Sequence, residues 1–157
     1  SLQTGQHIRS LDRPSHSVWR LQLSPDGAMV AAATGNYGRS YLNEILIWEL
    51  ATGTLLHKLR GHKECVFDVD FSPDGTRLAF QSEVDGNREI FVINVDGSQR
   101  TNLTNSPADD RKPGWSPDSR QIVFTTDREV VNSADCLGTS ILTCNFEIYI
   151  ICCIIWI

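Results

Sequence analysis

The tetrapeptide Ser24-Pro25-Asp26-Gly27 returns as Ser72-Pro73-Asp74-Gly75 after 48 residues, and as Ser116-Pro117-Asp118-Ser119 after a further 44. A chain that repeats at this period folds as a row of similar units, each leaning on its neighbour. The repeated piece is itself a turn. Ser suits its first position, Pro pre-sets φ at the second, and Gly at the fourth fits a tight reversal between antiparallel strands. Ser119 stands where the other two copies have Gly, which predicts a cost near ~1 kcal/mol if that position has positive φ. Other landmarks keep the same offsets. Gly5, Gly53 and Gly97 are each followed six residues later by Leu11, Leu59 and Leu103, and eighteen later by Leu23, Phe71 and Trp115. Glu44-Ile45, Glu89-Ile90 and Glu147-Ile148 each open an apolar run.

These landmarks cut each period into four short segments. Before the turn, Trp19, Leu21 and Leu23 alternate with Arg20 and Gln22, and Phe67, Val69 and Phe71 with Asp68 and Asp70. That is the pattern of a first strand with one face in the core. After the turn, Met29 to Ala33, Leu78 to Phe80 and Ile122 to Phe124 are short apolar runs suited to a central strand. Third segments follow at Ile45 to Trp48, Ile90 to Ile93 and Ile148 to Ile151, and more polar fourth segments at Leu55 to Leu59 and Arg100 to Leu103, as an edge strand requires.

No long window carries a helical stripe, so the expected class is all-β. A β-sandwich has strands at similar spacing but no reason to repeat every 44 to 48 residues; a four-stranded antiparallel propeller blade has that period. The expected architecture is a partial β-propeller of about three blades. Residues 1–13 read as the fourth strand of a preceding or closing blade, 14–60 as blade 1, 61–107 as blade 2 and 108–157 as an incomplete blade 3, giving eleven strands in the blades. Three blades fall short of the roughly four to eight in such rings. The chain is therefore expected either as part of a larger propeller or as half of a homodimeric six-bladed ring.

The segment from Val18 to Phe80 contains Ile47-Trp48-Glu49-Leu50, Ala51-Thr52-Gly53 and Leu59-Arg60-Gly61-His62, and it resembles bacterial WD repeats. From Asp85 onward, Glu89-Ile90-Phe91-Val92, Asn94-Val95-Asp96-Gly97-Ser98, Leu103-Thr104 and Trp115-Ser116-Pro117-Asp118 resemble the repeats of TolB-like propellers, which also occur as non-catalytic domains of some prolyl-type peptidases. Both resemblances imply a propeller and a protein-binding role. The Gly-His and Trp-Glu pairs each occur once, Pro14 stands at the offset of His62, and no Asp stands in the loop before Glu44. The buried His, Ser or Thr, Asp and Trp network of strong WD repeats is accordingly expected to be incomplete, with His62 a structural donor and Trp48 a core residue.

With 14 Lys and Arg against 19 Asp and Glu, the formal charge of -5 has the wrong sign for neutralising phosphates, so nucleic acid is not an expected partner. The five cysteines show no CxxC spacing, and no metal or other cofactor is expected. Cys136 and Cys144 share one loop, where they are either a disulfide or free thiols. The apolar run Ile148 to Ile157 is ten residues, about half the ~20 needed to cross a bilayer as a helix, and reads as a buried strand rather than a membrane span. Residues 1–12 carry no apolar run flanked by positive charge of the secretory kind.

Nucleophile elbows, zinc-protease helices and phosphate loops are missing from the sequence, so no catalytic residue is assigned and the chain is read as a non-enzyme. Binding residues are expected on the loop-bearing rim. The candidates are Tyr37, Arg39 and Tyr41 in the first long loop, and Lys63, Glu64, Asp109, Asp110 and Arg111 in the connections beside it. The expected function is a scaffold for a protein or peptide partner. The alternatives are the propeller domain of a prolyl-type hydrolase, and a TolB-like component of a periplasmic translocation system.

Overall fold

The computed structural model describes residues 7, 9–12, 14, 16–36, 43–127 and 151–157. These residues form eleven strands and no helix. Strands β1 (Ser17–Leu23), β2 (Met29–Gly35), β3 (Ile45–Glu49) and β4 (Leu55–Leu59) make one antiparallel sheet in chain order. The next four, β5 (Val66–Phe71), β6 (Arg77–Val84), β7 (Asn87–Asn94) and β8 (Thr101–Asn102), repeat it. Finally β9 (Asp110–Trp115), β10 (Gln121–Thr126) and β11 (Ile151–Trp156) form a three-stranded sheet. The sheets stack through their first strands, β1 against β5 and β5 against β9. The protein is an all-β partial propeller.

All three Ser-Pro-Asp corners have one geometry. The Ser hydroxyl donates to the Asp Oδ1 at 2.6, 2.7 and 2.6 Å, and that same Oδ1 accepts the N–H of Ala28, Thr76 and Arg120 at 3.0, 2.9 and 3.1 Å. These donors hold the Asp26, Asp74 and Asp118 carboxyls below the ordinary range, Asp74 down to about 2. The fourth position has φ of 70° at Gly27, 73° at Gly75 and 60° at Ser119, so the serine carries the backbone strain expected of it. It also gains a contact: its Oγ accepts the Asp74 N–H at 3.1 Å, and its carbonyl accepts Arg77 Nη2 at 2.6 Å. The third corner is thereby tied to the second.

Two apolar layers fill the spaces between sheets. Ala31, Ala33, Ile45 and Ile47 of the first sheet pack on Val66, Val69, Phe71, Leu78 and Phe80 of the second. Ala79, Ile90 and Val92 pack on Ile122, Phe124 and Trp115 of the third. The leucines at the repeated offset bridge forward onto the next sheet: Leu59 joins the first layer, Leu103 the second, and Leu11 packs on Val30, Ala32, Leu46 and Trp48 across the far face of the first sheet.

The first strands are also cross-linked by polar groups. Asp70 on β5 accepts Gln22 Nε2 of β1 at 3.1 Å and the backbone N–H of Trp115 of β9 at 3.3 Å, while its carbonyl accepts Trp115 Nε1 at 3.2 Å. One residue thus joins three sheets. Arg20 lies 3.4 Å from Asp68. Burial raises the carboxyl pKa of both Asp68 and Asp70.

The structure corrects several expectations. The third strand of the last sheet, β11, runs on from Ile151 to Trp156; residues 148–150 lie outside the described residues, as do Cys136 and Cys144. Among the described residues of the segment 3–12, none is in a strand. Leu21 and Leu23 do not enter the core but are exposed. Phe67 is displaced by a β-bulge between Val66 and Asp68, which turns Val66 inward in its place.

Candidate functional site

That bulge recurs. In β1 the register slips between Val18 and Arg20, setting Trp19 aside as Phe67 is set aside in β5. In β9 it slips between Arg111 and Gly114, where Lys112 takes φ of 54° and donates its N–H to Gln81 Oε1 at 3.1 Å. A bulge near the start of each first strand re-aims side chains toward the same rim. Trp19 and Phe67 meet there, ring centroids 5.6 Å apart and tilted by 56°. The Arg88 guanidinium sits over the Phe67 ring at 4.9 Å, in range for a cation–π contact.

Acidic groups complete the patch. Asp109 Oδ1 accepts the Arg88 N–H at 2.7 Å, and Arg111 Nη2 donates to Asp109 Oδ2. Burial acts to raise the Asp109 pKa, but the Arg88 N–H and the Arg111 guanidinium outweigh it and hold the carboxyl below its usual range. The Asp109 N–H donates to Asp127 Oδ1 at 2.7 Å, fastening the loop to the end of β10. The patch therefore draws on all three sheets: Trp19 from the first, Phe67 and Arg88 from the second, Asp109 and Arg111 at the entry to the third.

The loop that carries Asp109 is held from below by Glu89. This buried carboxylate accepts from the Thr104 hydroxyl, from the Ser106 N–H at 2.9 Å and from Asn87 Nδ2 at 2.8 Å. Asn87 also donates to the Ser106 and Ala108 carbonyls at 2.6 and 3.1 Å. Glu44, at the equivalent place in the first sheet, is met by Arg60 Nε at 2.7 Å. The next connection is a two-residue hairpin, Asp85-Gly86, with both φ positive at 54° and 96°, a type I′ turn.

Of the candidate residues, Asp109 and Arg111 fall in this patch. Lys63 lies beside it on the same rim, paired with Asp85 at 3.2 Å, both well exposed; such a pair contributes little stability. Glu64 offers its carbonyl to Ser82 Oγ at 3.4 Å. Asp110 is fully buried, not exposed on the rim, with Ser106 Oγ donating to its Oδ2 at 3.2 Å. Tyr37, Arg39 and Tyr41 lie outside the described residues. His62 is buried edge-on against Phe80 at 5.0 Å, and burial pushes its pKa down to about 4. Neither His62 Nε2 nor Trp48 Nε1 has a hydrogen-bond partner among the described residues. No group of three or more His, Cys, Asp or Glu among the described residues is arranged to hold a metal ion.

A family profile described as the TolB beta propeller domain matches residues 3–132. The chain belongs to the TolB β-propeller family. Over 113 residues it is 34% identical to the uncharacterized peptidase YuxL of Bacillus subtilis, covering 69% of this chain and 17% of that protein. Over 88 residues it is 35% identical to the WD repeat and SOCS box-containing protein 1 of Takifugu rubripes, covering 55% of this chain and 19% of that one. A TolB structure from Agrobacterium tumefaciens superposes with a TM-score of 0.58 at 26% identity, over 76% of this chain and 40% of the other. The chain thus spans less than half the length of these relatives.

Three residues of this TolB-type rim, Trp19, Phe67 and Arg88, are absent from the candidates drawn from sequence. Strict alternation assigns Trp19 and Phe67 to the core. The overlooked signal is the apolar doublet, Val18-Trp19 and Val66-Phe67, recurring 48 residues apart: two adjacent apolar residues at a strand's start mean that one of them leaves the alternation.

Proposed function

We propose that this chain is a non-catalytic interaction module that binds a protein or peptide partner on the rim built around Trp19, Phe67, Arg88, Asp109 and Arg111. The observation that carries this reading is the aromatic pair with its flanking arginines, drawn from three sheets and pre-organised by the Glu89-anchored loop. Trp and Arg dominate protein-binding hot spots, and a surface whose rotamers are already held loses less entropy on binding. Lys63 and Glu64 would form its polar border. Selection of a random peptide library on the protein tests it: Trp19→Ala should weaken the selected peptides by at least ~10-fold, with the circular dichroism spectrum unchanged. Selected peptides that bind Trp19→Ala and Arg111→Ala as tightly as the parent chain would refute the site.

The identity with YuxL supports a second reading, in which the module serves as the propeller of a peptidase and governs access to a catalytic domain. The likeness to TolB supports a third, service in a translocation system. In each the module itself does no chemistry. Labelling of this chain by a fluorophosphonate serine-hydrolase probe would contradict that.

A further inference from the structure

The sequence holds four Asp-Gly pairs, Asp26-Gly27, Asp74-Gly75, Asp85-Gly86 and Asp96-Gly97. Such a pair has a chemistry of its own. With no side chain on the glycine to obstruct the approach, its amide nitrogen can attack the preceding aspartyl Cγ wherever the two groups are free to meet. In three of the four pairs both groups are engaged. Asp96 Oδ1 accepts the Ser98 hydroxyl at 2.6 Å and the Ser98 N–H at 2.9 Å, the same double contact that holds Asp26 and Asp74 at the repeated corners. The N–H groups of Gly27, Gly75 and Gly97 donate to the carbonyls of Ser24, Ser72 and Asn94 at 2.9, 2.8 and 2.8 Å. Hydrogen bonding also holds these three carboxyls below the ordinary range, and an ionised carboxylate is a poor electrophile because its oxygen cannot leave as water.

Asp85-Gly86 differs at each of these points. It forms the tip of the β6–β7 hairpin in the middle sheet, which has a sheet on either side. Among the described residues, the side-chain partner of Asp85 is the well-exposed Lys63 ammonium at 3.2 Å, and the Gly86 N–H donates to no acceptor. A Cβ placed on Gly86 would meet nothing within 4 Å, so the tip has open space around it. We infer that Asp85 is a modification site, where the chain converts spontaneously to an isoaspartyl linkage, and that the fold protects the other three pairs. In the first step the Gly86 nitrogen bonds to Asp85 Cγ, the Cγ–O bond breaks, and the nitrogen's proton leaves with that oxygen as water. Water then opens the cyclic imide at either carbonyl. Opening at Cγ restores aspartate, and opening at the main-chain carbonyl leaves the backbone running through the side-chain methylene. Water is the sole co-reactant. The product carries an extra methylene in a two-residue reversal that sets the hairpin register, directly before Asn87 and Arg88, which the rim loop relies on.

Peptide mapping of the folded chain after prolonged warm incubation at mildly acidic pH tests the assignment, with fragmentation mass spectrometry reading the linkage at each pair. Isoaspartate is expected at Asp85 at least ~10-fold faster than at Asp26, Asp74 or Asp96, the rate ratio that one net hydrogen bond to a charged group amounts to. In concentrated urea, where the fold is lost, the four rates should converge. Ser98→Ala removes an exposed hydroxyl that Asp96 accepts from, and should raise the Asp96 rate with the circular dichroism spectrum unchanged. A folded chain in which Asp85 reacts no faster than the other three would overturn the proposal, as would a preference for Asp85 that persists undiminished in urea. An Asp96 as inert in Ser98→Ala as in the parent chain would overturn the protective role of these hydrogen bonds.

Discussion

Replacing Asp70 by alanine removes a side chain that binds the first and third sheets at once. Two donors lose their acceptor: Gln22 Nε2 at 3.1 Å and the Trp115 N–H at 3.3 Å. Gln22 sits at the half-exposed inner surface and is rehydrated, so its loss costs little. Trp115 is half-buried, and leaving its N–H unsatisfied costs ~1–3 kcal/mol. Against this stands the relief of a carboxylate whose charged form burial disfavours. The net expectation is a destabilisation of ~2 kcal/mol, or about 4–8 °C in Tm for a chain of this size. Asp70→Asn keeps one carbonyl acceptor and should lose about half as much. The pH dependence has a definite sign. Because the folded pKa is raised, the stability linked to Asp70 is complete below the ordinary carboxylate range and is lost as pH rises through the raised value. Asp70→Asn should therefore compare more favourably with wild type at pH 7 than at pH 4. Urea titrations at both pH values measure this. An unchanged midpoint for Asp70→Ala, or an Asn variant as damaged as the Ala variant at pH 7, would refute the three-sheet role of this residue.

The Ser119 corner separates backbone strain from side-chain contact. Ser119→Ala keeps the positive φ and strips the Asp74 N–H of its acceptor, so a loss of ~1 kcal/mol is expected; Ser119→Gly relieves strain worth a similar ~1 kcal/mol and should be near neutral. Equal Tm values for the two would contradict this division. The acidic corners titrate oppositely to Asp70. With the Asp74 carboxyl lowered to about 2, the stability it contributes is present above the ordinary Asp range and fades as pH falls from about 4 toward 2. Asp74→Asn should flatten that part of the stability profile, and an unaltered acid limb in thermal melts would count against the Ser-to-Asp hydrogen bond.

How much was legible in the residues depended on whether the information was periodic. The corners, the forward-bridging leucines and the four-strand division recur at fixed offsets, and each has a local physical cause, so the sheets could be laid out from sequence. The rim is half legible: Asp109 and Arg111 stand out as charged loop candidates, while Trp19 and Phe67 are hidden by bulges that break alternation without any glycine or proline to mark them. Asp110 looked like a surface carboxylate because nothing in the sequence shows that the loop folds over it. Leu21 and Leu23 were assigned to the core by a pattern that reports which face is apolar, not whether anything covers it. The far end of β11, at Trp156, lies beyond the expected Ile151 because an unbroken isoleucine-rich run has no internal mark of where pairing stops.

Separate sheets stacked through their first strands define this fold, and side-chain NOEs in a methyl- and aromatic-labelled sample read that stacking directly. The predicted result is contact of the Trp115 indole N–H with β5 protons and of the Trp19 ring with Phe67, with no Hα–Hα contacts between β4 and β5. Cross-strand β4-to-β5 contacts, with the two tryptophans remote from β5, would show one continuous sheet and contradict the propeller arrangement.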